Sequence, residues 1–284
     1  PGQLQELCAE VHALPGRPLI CVDQEGGRVR RLKEARGFAP LPSQQALTAL
    51  PLDERRALLQ RSFGELKALG IDLNLAPVID LNLNPTSPDI GALDRAYGAD
   101  PAEVRENVAL LDEVARGLKL GLSLKHWPGL GGATGNTHKE LTDLSDCLDE
   151  AQLALFNELG ATVFGQCVMV SHGFVQQWDA QVPCSVSLAA LSRLRKALPD
   201  ALILSDDLQM GALQAILPTG DACLQGLRAG LDMLLIGNNL LPEETAAPGY
   251  AEHLEAAAMA DPALARRAGE ALARVRLRKR WFAE

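Results

Sequence analysis

The chain has 284 residues, 47% of them hydrophobic and 22% charged, with a formal net charge of −9 at pH 7. That hydrophobic share can bury a large core and excludes a disordered chain, while the acidic balance argues against nucleic acid or an anionic membrane as the main partner. Six cysteines stand apart without a C-x-x-C pair and no apolar run reaches the roughly 18 residues of a membrane span, so a reducing cytoplasm is expected.

In chain order, the first apolar run is PLICVD (18–23), continued at once by DQEGGRVRR (23–31). Asp23 ends the run, Gly26-Gly27 predict a sharp turn, and the arginines after it either grip oxygens bidentately or face solvent. An amphipathic helix is expected over 53–70, then the run IDLNLAPVID (71–80) and the segment GALDRAYGADP (91–101), which holds Arg95. A second helix is expected over 100–121, with Asp100-Pro101 as cap and first turn and Gly121 as its close. Four more runs follow: LSLKH (122–126), CVMVSH (167–172), ALILSDD (201–207) and DMLLIGNN (232–239). The basic stretch 274–280 ends a final helix, where cations suit the dipole.

Near-continuous apolar runs alternating with amphipathic helices predict a parallel sheet covered on both faces. Each run ends in polar residues: Asp23, Asp80, Lys125-His126, Ser171-His172, Asp206-Asp207 and Asn238-Asn239. A (β/α)8 TIM-type barrel gathers such ends on one face, where its active sites sit. A doubly wound sheet would carry a Gly-rich phosphate turn after its first strand, and no G-x-G-x-x-G follows PLICVD. The expectation is one α/β barrel domain over 1–284, with six strands visible and the first one or two preceding residue 1.

The chemistry concentrates in KHWPGLGGATGNTHKE (125–140), which holds two of the five histidines and four glycines. Glycine freedom there favours a lid that carries His138 over a substrate. Asn136 stands two residues earlier, as an acceptor for the imidazole if the loop folds back. Lys125 and His126, at a strand end, bind the hydroxyls of a polar ligand or form a Schiff base through the lysine. Asp206 and Asp207 serve as nucleophile or as ligand to a metal or hydroxyl group, or Asp207 caps the following helix, LQMGALQAI. The histidines His126, His138 and His172 show no H-E-x-x-H or similar spacing, so no metal is expected.

VDQEGGRVRR, GIDLNLAPVID, DRAYGADP, KHWPG with the histidine loop, MVSH, SDDLQM and DMLLIGNN occur in one order. That set resembles the family 3 glycoside hydrolases, in particular the single-domain bacterial β-N-acetylglucosaminidases of cell-wall recycling. The resemblance runs from the first residues to about residue 240. It implies a (β/α)8 barrel with about 40–50 further residues upstream, by the usual length of a βα unit. It implies a retaining hydrolase without cofactor that releases non-reducing-end N-acetylglucosamine from muropeptides or small glycosides. By that resemblance Asp206 is the nucleophile and His138 the acid/base, with Asn136 beside it. Asp23, Arg31, Arg95, Lys125 and His126 form the sugar-binding set, and His172 is expected with them. Two departures from the family pattern stand out: Asn136 replaces an aspartate, and Leu130 a histidine. They leave two alternatives, a phosphorylase that resolves the intermediate with phosphate and a sugar-binding relative with impaired turnover.

Overall fold

The computed structural model describes residues 1–237, 242 and 246–283. Six parallel strands form one curled sheet in the order β1 (Cys21–Val22), β4 (Leu73–Asn74), β5 (Gly121–Trp127), β6 (Cys167–Val170), β7 (Leu202–Asp207) and β8 (Met233–Leu235). These are the six apolar runs read in the sequence, and their sheet order is their chain order. Between the first two comes a short antiparallel hairpin, β2 (Gln24–Gly26) and β3 (Val29–Arg30), which the sequence showed only as a turn. The hairpin needs both glycines. Gly26 has φ of +110°, and a Cβ on it would lie 2.0 Å from the Pro42 carbonyl oxygen.

Helices join the strands: α1 (Gly2–Ala13), α2 (Gln44–Thr48), α3 (Leu52–Ala68), α4 (Pro101–Leu118), α5 (Glu150–Thr162), α6 (Leu188–Ala197), α7 (Gly211–Gln214), α8 (Thr219–Ala229), α9 (Ala246–Ala260) and α10 (Pro262–Ala283). The second long helix starts where the sequence placed it: Asp100 caps α4 by accepting from Ala102 N at 2.8 Å, with Pro101 in the first turn. Its close differs. Lys119, in the left-handed region at φ 53°, ends the helix, and Gly121 already belongs to β5. A side chain on Gly121 would collide with the Phe282 ring at 2.4 Å, so the glycine is required for packing rather than for a cap.

The sheet has apolar side chains on both faces. One core lies between sheet and helices, built on Leu66, Val78, Leu122, Leu124, Val168, Val170 and Ile203. A second lies on the concave side, where Leu73, Leu75, Cys167, Met169, Leu202 and Leu204 meet Phe282, with Trp281 and Val275 against them. Full burial of each such side chain contributes about 1.5–3 kcal/mol. The end of α10 therefore closes the floor of the curl.

Arg278, fully buried, donates to the carbonyls of Gly165 at 2.7 Å and Asp200 at 2.5 Å, which precede β6 and β7. Arg274 reaches Asp232 at 3.2 Å. The basic stretch 274–280 thus ties α10 to the sheet through strand-start contacts, and the helix dipole alone does not account for it. Six strands form this curl among the described residues; it is a partial barrel, and the eight-strand closure expected from the resemblance is not established. The expected strand end Asn238-Asn239 lies outside the described residues.

Candidate active site

The C-terminal ends of the six strands bring the polar strand tips to one rim. Asp23 follows β1, and its carboxylate accepts from Lys125 Nζ at 2.8 Å and from Arg31 Nη2 at 2.9 Å. Lys125 lies on β5 with its side chain 3% exposed, and it also pairs with Glu25 on the hairpin. Glu25 in turn holds Arg95 through two parallel bonds of 2.9 Å, Nε to Oε2 and Nη2 to Oε1. Arg95 completes its grip on the Asp89 carbonyl at 2.7 Å and reaches His126 Nε2 at 3.0 Å. His126 Nδ1 lies 2.7 Å from Asp80 Oδ2. Five of the predicted residues (Asp23, Arg31, Arg95, Lys125 and His126) are thus one continuous chain of charge-assisted bonds.

Two links in that chain were missed by the sequence reading. Glu25 was legible only as part of DQEGG, and Asp80 only as one strand tip among several. Burial works against the charge of Glu25, but Arg95 and Lys125 outweigh it and hold the carboxyl far below the usual range. Burial likewise opposes the charge on Lys125; Asp23 and Glu25 overcome it and raise the ammonium above its ordinary value. Removed from water, each group is charged because the others are.

The partners also fix the histidine tautomers. At His126, Arg95 can only donate, so Nε2 accepts and Nδ1–H donates to Asp80. Both ring nitrogens are engaged, and the imidazole orients Arg95 rather than presenting a free nitrogen to a hydroxyl. At His172, Nε2–H donates to the Asp207 carbonyl at 2.8 Å, and Nδ1 accepts from Ser185 Oγ at 2.7 Å. Burial pushes His172 below the ordinary histidine range against the pull of Asp206. The residue is 0% exposed. The expectation that His172 touches the sugar is therefore corrected: it is a buried strut under the end of β7.

Asp206 sits at that end, half-buried. Its Oδ1 accepts from the N–H of Asp207 at 2.8 Å, and among the described residues Oδ2 has no hydrogen-bond partner. Burial opposes its charge, yet His126, His172, the Asp207 N–H and Lys125 together hold the carboxyl below the usual aspartate range. It is a carboxylate at neutral pH. Asp207 differs from the sequence reading: its Oδ1 accepts from Gln209 N and Gly237 N, both at 3.0 Å, closing a turn, and Met210 rather than Asp207 precedes α7.

The loop after β5 brings His138 to the same rim. The His138 carbonyl accepts from Gly211 N at 3.1 Å, just beyond the strand that carries Asp206. Both Asp206 and His138 act electrostatically on His172. The His138 ring is exposed.

Two expectations about the loop change. Asn136 Oδ1 accepts from the backbone N–H of His138 at 3.0 Å, so it shapes the turn and does not hold the imidazole. The glycines are close-approach positions more than hinges. Of Gly129, Gly131, Gly132 and Gly135 only Gly129 has positive φ, whereas a Cβ on Gly131 would lie 1.7 Å from the Leu81 carbonyl oxygen. Thr137, fully enclosed, donates from N and Oγ1 to Asp89 Oδ2, both at 2.8 Å. Leu130 is 1% exposed and packs into the main core, so a histidine there would need a buried partner.

Among the described residues no group of three or more His, Cys, Asp or Glu side chains converges as a metal site. The arrangement is one open carboxylate, a buried frame of alternating charges, and an imidazole on a tethered loop. Such a site can bind a polyhydroxylated ligand and attack it.

Residues 4–268 match the glycosyl hydrolase family 3 N terminal domain. The chain is 34% identical over 259 residues to a β-hexosaminidase of Pseudomonas aeruginosa, covering 87% of this chain and 74% of that one. A β-N-acetylhexosaminidase from Beutenbergia cavernae superposes with a TM-score of 0.84 at 30% identity, over 96% of this chain and 82% of that one. NagZ from Neisseria gonorrhoeae, solved in complex with N-trifluoroacetyl-D-glucosamine, superposes with a TM-score of 0.71 at 28% identity, over 89% and 78% of the two chains. A family match across nearly the whole chain, joined to this rim of carboxylates and cations, makes the protein a glycoside hydrolase belonging to glycosyl hydrolase family 3.

Proposed function

We propose that the protein is a retaining exo-β-N-acetylglucosaminidase acting on muropeptides or other small N-acetylglucosaminides. The observation that carries this reading is the Asp206 carboxylate, ionised, half-open, and with Oδ2 unpartnered among the described residues. In this reading Oδ2 attacks the anomeric carbon and the bond to the leaving oxygen breaks, giving a covalent glycosyl ester. His138 gives its proton to the leaving oxygen, then takes one from the water that hydrolyses the ester.

An imidazole suits both halves of that cycle, because its unperturbed pKa near 6.5 lies close to neutral pH. It also brings no second negative charge beside the nucleophile. Asp23, Arg31, Arg95 and Lys125 bind sugar hydroxyls, with Glu25, Asp80 and His126 holding them in place. The relatives named for β-N-acetylhexosaminidase activity, and NagZ solved with an N-acylated glucosamine, support the sugar class.

The test is mass spectrometry after incubation with a slow fluorinated N-acetylglucosaminide. The expected result is a glycosyl adduct on the peptide containing Asp206, absent in Asp206→Asn. Release of product with no adduct, or an adduct on another residue, would overturn the assignment.

A further inference from the structure

A second charged cavity lies at the opposite end of the sheet, under the starts of β1, β4 and β5. It has a volume of about 420 Å3 and is lined by His12, Arg17, Lys67, Asp72, Lys119 and Phe282, with Gly70 at its edge. That size falls within the range of about 300–1,000 Å3 typical of small-molecule sites. Nothing in the hydrolytic reading uses it.

Its charges do not balance. Asp72 is the single acid of the lining, and its carboxylate is already saturated. Oδ1 accepts from Arg17 Nη2 at 3.0 Å, while Oδ2 accepts from Ile20 N at 2.9 Å and lies 2.8 Å from His12 Nε2. Lys67 Nζ donates to the carbonyls of Lys119 at 3.0 Å and Phe282 at 2.9 Å, neither of which carries charge. The Lys119 side chain makes no hydrogen bond or ion pair among the described residues. Arg17, Lys67 and Lys119 against Asp72 leave an excess of two positive charges, in a protein whose net charge is −9.

Two further observations favour an anionic ligand. Arg17 Nη1 is shielded from solvent and has no partner among the described residues. A buried donor left unpaired is unfavourable, more so on a charged group. Arg17 also holds a left-handed backbone at φ 45°, unusual for a side chain of that size, and its side chain lines the cavity. Burial lowers the pKa of Lys67, and Arg17 and Lys119 push it the same way against Asp72. The like charges there repel one another.

We propose that this cavity binds a phosphate dianion, free or as the monoester of a small metabolite. Two negative charges match the excess, and a tetrahedral oxyanion offers acceptors to the Arg17 guanidinium, Lys67 and Lys119 together. The site stands on the face opposite Asp206. Its occupation therefore stabilises the folded chain through mass action and leaves hydrolysis untouched.

The test follows the thermal midpoint of the full chain in rising inorganic phosphate, with sodium chloride matched for ionic strength as the reference, for the natural protein, Lys119→Gln and Lys119→Glu. Neither variant removes a bond that the fold uses. The expected result is a saturable rise in the natural protein, about tenfold weaker apparent binding in Lys119→Gln, and no saturable rise in Lys119→Glu, with unchanged hydrolysis in all three. A parallel titration with glycerol phosphate identifies the source: tighter binding than phosphate marks a monoester site, and equal or weaker binding marks free phosphate. No saturable rise in the natural protein, or the same rise in all three chains, overturns the proposal.

Discussion

Glu25 is buried away from solvent and, in the proposed mechanism, does not touch the substrate, yet it separates Lys125 from Arg95 and neutralises part of each. Glu25→Gln keeps the shape and deletes the charge. It leaves two buried cations with one fewer counter-charge, a change that costs about 3–5 kcal/mol in comparable buried clusters. The expected outcome is a lower urea midpoint and a KM raised about tenfold or more, since Arg95 and Lys125 lose their common anchor. Steady-state kinetics with a chromogenic N-acetylglucosaminide and a urea titration read both effects; a variant with natural KM would remove Glu25 from the positioning role.

His172 offers a second residue-scale prediction, through pH. Its folded-state pKa lies below the ordinary value of 6.5 because it is buried. As pH falls through 6.5 the unfolded chain takes up a proton that the folded one refuses, so stability declines toward acid. The slope contributed by one such group reaches at most about 1.4 kcal/mol per pH unit. Unfolding free energies measured between about pH 7.5 and 5.5 are expected to fall less steeply for His172→Gln than for the natural chain. Equal slopes would mean that His172 titrates alike in both states.

At the scale of elements, the loop after β5 is a packed structure whose glycines let backbone meet backbone. The Gly131 carbonyl accepts from Asn84 N at 2.8 Å, and the residue lies against Leu81. A methyl group there cannot be accommodated without moving the loop. Gly131→Ala is expected to cut kcat/KM by at least about tenfold, because a displacement near 1 Å of a catalytic group can cost on the order of a hundredfold. Gly64, inside α3 with nothing within 4 Å of where a Cβ would stand, is the control. Gly64→Ala is expected to raise stability by about 0.5–1 kcal/mol with unchanged kinetics. Natural kinetics in Gly131→Ala would show that the loop base does not set the position of His138.

For the whole molecule, the curl of six strands is closed below by the end of α10 and left polar above. Phe282 is 1% exposed among side chains of β4, β6 and β7, on the floor side of the sheet. Phe282→Ala is expected to cost about 3–5 kcal/mol, seen as a lower thermal midpoint, while KM at low temperature stays at its natural value. A changed KM in the folded variant would mean that floor and rim are mechanically coupled.

What the amino-acid order determined by itself is the set of strands and the identity of the rim. Apolar runs of about five to ten residues that end in Asp, Lys-His, Ser-His or Asp-Asp point to buried parallel strands with polar tips, because local pattern marks where a strand lies, though not its exact bounds. Asp23, Arg31, Arg95, Lys125 and His126 could be named together, but only through the order of the blocks that contain them. The pairing of these side chains lay beyond sequence, since it joins positions as far apart as Asp23 and Lys125, 102 residues along the chain. Tertiary structure alone decided that His172 is a strut, that the loop glycines are contacts, and that Arg278 is core. In each case the deciding quantity is burial, and burial depends on what the rest of the chain packs against a residue, which no short stretch contains.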